Sequence, residues 1–209
     1  MSTAIADSKQ ADGMWHQQHI SEFSVELRPL QRQQLELLRQ WRNDPAIAAP
    51  MLQQQLISAE MQQQWFTRIQ NDKRQAQFVI YYKDEAIGAC NLKSADGLEL
   101  GQSQTIEAGF YLAHPRFRGT LLAFFPALAL NQYCFGRLNC KTLLAQVKLS
   151  NSAALRFNEK LGYQRQPDNV MVQTGNELTG FDNVELAVFT LNNEHHQQAA
   201  ATFIPFIRN

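Results

Sequence analysis

The segment IEAGFYLAHPRFRGTLLAFFPALALNQYCFGRLNCKTLLAQVKLSNSAALRFNEKLGY, residues 106–163, switches between a period of two and a helical period, and it constrains the fold more than any other part of the chain. Residues 105–112 alternate and are rich in aromatic side chains, which predicts a strand. A basic turn follows at 114–119, where Pro115 fixes the chain and Arg116 and Arg118 supply charge. Residues 121–135 predict an apolar helix, and residues 142–147 a second strand, β-branched and apolar. A second helix opens at Asn151 or Ser152 and ends before Gly162, the residue type expected at a helix C-terminus. Strand, turn, helix, strand and helix in this order lead to an α/β domain.

The turn is where chemistry is expected. A helix that starts just after a strand presents unpaired N–H groups and a partial positive charge. With Arg116 and Arg118 beside it, and Gly119 allowing close approach, the turn suits a phosphate or pyrophosphate. The alternative is an ordinary strand-to-helix loop with two surface arginines.

A chain of 209 residues suits one domain with an ample core, here 24–191, between a mobile N-terminal tail, 1–23, and a C-terminal extension, 192–209. No apolar run is long enough to cross a membrane, and the first 15 residues lack a basic start followed by an apolar stretch. Neither a membrane partner nor secretion is expected. Lys and Arg number 19 and Asp and Glu 19, so a net charge of zero gives no support for nucleic-acid binding. Cys90, Cys134 and Cys140 sit in apolar contexts without metal-like spacing, which predicts buried free thiols, no metal and a cytoplasmic, reducing location.

Around the central segment, residues 24–30 read as a first strand ended near Pro29. Residues 31–42 read as a helix with Leu35, Leu37, Leu38 and Trp41 on one face, stopped by Asp44-Pro45. Ser58 is an N-cap for a helix to about Asn71, with Met61, Trp65, Phe66 and Ile69 on its buried side. Residues 77–82 and 86–92 form a hairpin across Lys83-Asp84-Glu85, and Gly88 marks a bulge or a close backbone approach. Residues 95–103 read as a flexible loop. Strands at 170–173 and 184–191, with turns at 174–176 and 180–183, close the sheet. The tail pair His195-His196 reads as solvated rather than metal-binding. Trp15 and Ile20 rest on the domain, and the apolar end at 203–207 docks back on the domain or meets a second copy in a homodimer.

Residues Asn151-Ser-Ala-Ala-Leu-Arg-Phe-Asn-Glu-Lys-Leu-Gly-Tyr163 resemble the Asn-x-x-Ala-x-x-x-Tyr-Glu-Lys-Leu-Gly-Phe helix of the GNAT N-acetyltransferases. The turn Arg118-Gly119-Thr120-Leu121-Leu122-Ala123 is similar to that family's pyrophosphate loop, and Glu107-Ala-Gly-Phe-Tyr-Leu112 to the strand before it. The resemblance covers about residues 25–166. It implies an α+β GNAT fold, with a mixed, mostly antiparallel sheet, flanking helices and splayed central strands. It also implies acetyl transfer from acetyl-CoA to a primary amine. The cofactor would lie along Tyr111 and Leu112, against the N–H groups of Gly119, Thr120, Leu121, Leu122 and Ala123, with Arg116 or Arg118 adding charge and Asn151 reaching the pantetheine arm. Trp41-Arg42-Asn43-Asp44-Pro45, followed by Met51, is similar to the start of GNAT enzymes that acetylate amino sugars on nucleotide carriers, notably those of the pseudaminic acid pathway. Trp41, Arg42, Asn43 and Met51 are therefore the candidate substrate residues, and a helix end with a core Trp is the alternative.

The acceptor amine must be neutral to attack, and Glu107 is the candidate base. The alternative for Glu107 is a solvent-facing strand residue, with Ile106, Ala108 and Phe110 as the core face. Three positions depart from the family pattern. Leu121 stands where Gly is usual, and a side chain there is expected to crowd the pyrophosphate so that fewer amides reach it. Pro126 removes a helix donor and bends the helix. Asn158 replaces the Tyr that often protonates the departing thiolate; it donates a hydrogen bond but is no acid. Tyr111, Tyr133 and Tyr163 are the candidate substitutes. The rival acceptors are a protein N-terminus, as for ribosomal-protein acetyltransferases, and a polyamine. The rival class is a non-catalytic module that binds an acyl-CoA or a partner chain.

Overall fold

The computed structural model describes residues 18–176 and 180–207. Its strands are β1 (Ile20–Glu22), β2 (Val25–Pro29), β3 (Gln75–Tyr82), β4 (Glu85–Ser94), β5 (Thr105–Leu112), β6 (Thr142–Lys148), β7 (Gln164–Asn176) and β8 (Gly180–Leu191). Its helices are α1 (Leu35–Asn43), α2 (Pro45–Ala48), α3 (Ala59–Ile69), α4 (Phe124–Gly136), α5 (Ser152–Lys160) and α6 (Asn193–Phe203). The strands form one sheet in the order β1-β2-β3-β4-β5-β6-β8-β7. Every neighbouring pair is antiparallel except β5 with β6.

Two apolar layers cover the sheet. On one face α4 is the core element. Ten of its residues are buried, because it is apolar on all sides and is wrapped by sheet, α5 and α6. Ile106, Leu143 and Phe189 meet it from the sheet, with Ala108 and Phe110 partly buried against the same cluster. On the other face α1 and α3 bury Leu35 and Leu38 over Val79 and Ala89, with Trp41, Trp65, Phe66 and Tyr111 around them. The period of two on β5 therefore sends Ile106, Ala108 and Phe110 to the α4 side, and Glu107 and Tyr111 to the α1 side.

Local chemistry explains most element ends. Ser58 Oγ accepts from Met61 N at 3.1 Å and caps α3. Asp44 caps α2 through Ala46 N, with Pro45 in the first turn. Lys83 and Asp84 both take positive φ, 49° and 62°, as a two-residue hairpin turn requires. Gly88 has both features its sequence context suggested. The ladder register shifts between Ile80 and Tyr81, and a Cβ on Gly88 would lie 2.2 Å from Tyr111 O.

Several expectations change. Pro126 is the third residue of α4, because residues 121–123 form a separate 3-10 turn; its missing N–H is one of the unbonded donors of a first turn, so no helix bond is lost. Residues 95–103 are tied down by Asp96, whose carboxylate accepts from Ser94 Oγ, Ser103 Oγ, Leu98 N, Gln104 N and Thr105 N. On α3, Gln62 is buried and Met61 is exposed, so the apolar stripe begins at Trp65. Residues 174–176 and 180–183 belong to β7 and β8 rather than to turns. Ile20 is buried in β1, while Trp15 lies outside the described residues. Arg137 and Cys140 follow α4, and Cys90, Cys134 and Cys140 are buried free thiols.

His196 is not solvated. It lies buried on α6, with its Nε2 3.1 Å from Gln132 Oε1 on α4 and its ring 5.6 Å from that of Phe135. Phe203 on the same helix stacks on Phe124 at 4.7 Å, so the end of α6 docks on the domain. Burial pushes the His196 imidazole down to about 4 from 6.5. A depressed pKa means that the unfolded chain binds the proton first. The stabilising contribution is complete above about pH 6.5 and is lost as pH falls toward 4. Melting temperature should therefore fall between pH 7 and 4.5, and more steeply in the wild type than in His196→Gln. Parallel pH profiles for the two proteins would contradict this account.

Candidate active site

The centre of the sheet is open. β5 and β6 pair in parallel only at Thr105 with Thr142, Ile106 with Leu143 and Glu107 with Leu144. Beyond that point β5 stays bonded to β4 as far as Leu112, and β6 stays bonded to β8 as far as Lys148. The two strands thus part company while each remains held from behind. Main-chain groups alternate sides along β5: Thr105 O accepts from Ala95 N on the β4 side, and Gln104 O from Lys141 N and Thr142 N on the β6 side. By that alternation Phe110 turns both its N–H and C=O into the opening, and Leu112 turns in its N–H. Such an edge binds an extended, amide-bearing chain.

The basic turn lies just past the end of β5. Gly119 has φ 71° and open space where a Cβ would be. Its N–H and those of Leu121 and Leu122 have no main-chain acceptor among the described residues, whereas Thr120 N and Ala123 N bond within the turn. The Leu121 side chain is 40% exposed, so it is not packed into the core beneath the turn. The arginines have separate tasks. Arg118 Nε donates to Leu112 O at 2.9 Å and Nη2 to Ala113 O at 2.6 Å, bracing the turn against the strand. Arg116 is exposed, lies 4.5 Å over the Phe117 ring and pairs with Glu85. It is the solvent-facing charge of the two.

On the α1 face, Glu107, Gly109 and Tyr111 of β5 lie beside Lys93, Asn91 and Ala89 of β4, their paired residues. Trp41 meets the Tyr111 ring edge-on, with centroids 6.5 Å apart. Arg42 Nε and the Tyr111 hydroxyl are both buried without a hydrogen-bond partner among the described residues. Burial pushes the Tyr111 hydroxyl up, and the Arg42 charge opposes the shift. Arg42 Nη2 donates to Gln53 O at 3.4 Å. Asn43 is committed elsewhere: its Nδ2 donates to Ile57 O at 2.9 Å and its Oδ1 accepts from Ile57 N at 2.8 Å. Met51 is half-buried in the segment that this clip closes. An open groove of about 610 Å³ lies on the same face nearer the sheet edge, lined by Leu30, Phe66, Ile69, Gln75 and Gln77. It carries no acid and is two strands from Glu107.

The acetyltransferase (GNAT) domain family matches residues 24–164. The chain belongs to this family. No curated protein matches. Among solved structures, the fold is similar to that of a putative acetyltransferase from T. thermophilus, with TM-score 0.71 and 16% identity over 91% of this chain and 97% of that one. It is similar to spermidine N-acetyltransferase from Vibrio cholerae in complex with CoA and spermine, with TM-score 0.70 and 16% identity over 83% and 98%. Aminoglycoside acetyltransferase AAC(6')-Ib in complex with coenzyme A has TM-score 0.66 and 20% identity over 84% and 98%.

In this GNAT N-acetyltransferase the candidate proton donors fall on different sides of the sheet. Asn158 Nδ2 donates to Ala154 O of its own helix at 2.9 Å, and Asn151 Oδ1 caps α5 by accepting from Ala154 N at 3.1 Å. Tyr163 donates to Asn131 Oδ1 at 3.2 Å within the core, and Tyr133 is buried on α4. Only Tyr111 shares a face with Glu107. Sequence reasoning missed Asn91, because nothing before folding tells that Gly109 stands opposite it. Removing the clip in Asn43→Ala should destabilise the fold by about 1–3 kcal/mol, read from urea unfolding. A change within about 0.5 kcal/mol would mean that the clip to Ile57 carries little.

Proposed function

We propose that the protein moves the acetyl group of acetyl-CoA to the primary amine of a small molecule, and that the acceptor is an amino sugar on a nucleotide carrier. The break in the β5–β6 ladder carries the reading. A pantetheine arm carries amides that suit the main-chain groups of Phe110 and Leu112 as an added strand. A pyrophosphate suits the unbonded N–H groups of Gly119, Leu121 and Leu122, with Arg116 as the nearby cation. Acetyl-CoA supplies a thioester, whose carbonyl carbon bonds to the amine while the C–S bond breaks. Glu107 accepts the amine proton, directly or through a water. A thiolate, with a pKa near about 8.5, leaves without an acid, so Asn158 in place of Tyr is tolerable.

The acceptor class rests on charge. On the α1 face of β3 to β6, the polar positions include Lys93 and Gln146, both exposed, and the half-buried Lys148, Asn91 and Gln77, with Glu107 as the sole acid among the described residues there. The Arg42 guanidinium lies on the same side. Polyamines and aminoglycosides, the molecules named for the solved relatives, are polycations and need several carboxylates. A phosphate-bearing acceptor suits these cations, and Trp41 with Tyr111 offers aromatic surface for a base or a deoxysugar methyl.

Calorimetric titration with acetyl-CoA, followed by an amine screen led by amino-sugar nucleotides, tests the reading. Glu107→Gln should lower kcat by about 10²- to 10⁴-fold and leave the acetyl-CoA Kd unchanged. An unchanged kcat would remove Glu107 from the mechanism. Spermidine preferred over every phosphate-bearing amine would overturn the acceptor class.

A further inference from the structure

We propose that Asn91 is the positioning residue for the acceptor amine, working beside Glu107; the inference rests on the transferase reading above. Asn91 of β4 stands directly opposite Gly109 of β5, flanked by the pairs Lys93 with Glu107 and Ala89 with Tyr111. A Cβ on Gly109 would lie 2.9 Å from Asn91 Oδ1 and 3.8 Å from its Cγ. The Asn91 amide therefore leans across β5 into the space that Gly109 leaves, between Glu107 and Tyr111 and toward the opening beside β6. Glycine is needed here for what its neighbour does, since its own backbone φ is ordinary.

The amide is also unspent. Asn43, Asn131, Asn151 and Asn158 each hydrogen-bond within the protein through their side chains. Asn91 has no side-chain hydrogen bond among the described residues, and its polar atoms are not sealed from solvent. A half-buried amide held in shape by packing, with donors and acceptor left over, is matched to a ligand. Its chemistry fits a primary amine. An attacking amine gives one proton to Glu107 and must keep its other N–H groups bonded while its lone pair faces the thioester. A neutral carbonyl oxygen accepts such an N–H without adding a second negative charge next to Glu107. An acid at this place would compete with Glu107 for the proton.

The test uses the full chain, acetyl-CoA, and a screen of amino-sugar nucleotides, free amino sugars, spermidine and a peptide with a free amino terminus. Asn91→Ala should lower kcat/KM for the acceptor by roughly 10- to 100-fold while leaving the acetyl-CoA Kd within about twofold. Gly109→Ala should do the same, because its Cβ displaces Oδ1. The double variant should be no worse than either single one, since the clash has lost its partner. Asn91→Asp should move the acidic limb of the pH–rate profile to higher pH, because a second carboxylate beside Glu107 disfavours its ionised form. Wild-type turnover with an unaffected Asn91→Ala variant, or additive losses in the double variant, would overturn this proposal alone. A wild type that binds acetyl-CoA yet acetylates no amine in the screen would overturn the transferase reading and this proposal together.

Discussion

The site depends on where the hydrogen bonds between β5 and β6 stop. Three residue pairs hold the strands together, and then the ladder ends although both strands continue. An open edge inside a sheet is costly unless each strand has another partner, and here β4 and β8 supply one on either side. The result is a rigid slot with unpaired main-chain groups on one wall. The same strand carries the rest of the site. Its last carbonyls anchor Arg118, which sets the turn whose N–H groups stay free, and its odd-numbered side chains form the floor on the α1 face. One strand thus presents unpaired backbone to the opening and side chains to the α1 face.

The two faces divide the labour. The α4 face is a core in which Tyr133, Tyr163 and the cysteines are buried, with the Tyr163 hydroxyl bonded to Asn131. The α1 face is only partly filled. Its aromatic residues meet at Trp41 and Tyr111, and its polar groups include two buried atoms without partners, Arg42 Nε and the Tyr111 hydroxyl. Unpaired buried polar atoms cost stability wherever they occur, and Asn131 Nδ2, the Tyr133 hydroxyl and His196 Nδ1 carry the same cost on the α4 side.

Much of this was legible in the sequence. The bounds of β5, the hairpin at Lys83-Asp84, the Ser58 cap and the helix ending before Gly162 follow from period, turn chemistry and caps that act within a few residues. What depended on distant partners was not legible. Pro126 looked disruptive until the 3-10 turn before it moved the helix start, and residues 95–103 looked loose until Asp96 was seen bonded to both of their ends. His195-His196 gave no sign of which ring would face Phe135. Of the site, the sequence indicated the turn, Glu107 and the Trp41–Arg42 segment. It left open that Arg118 braces the turn while Arg116 pairs with Glu85, it did not reveal that Asn43 serves Ile57, and it passed over Asn91.

The slot itself is the central claim, and amide hydrogen exchange with and without acetyl-CoA tests it most directly. The account predicts slowed exchange at Phe110 and Leu112, whose N–H groups face the opening, together with Gly119, Leu121 and Leu122, and little change at Gly109 and Tyr111, which already bond to β4. Protection confined to the groove between Leu30 and Gln77, or absent from β5 at saturating ligand, would contradict it.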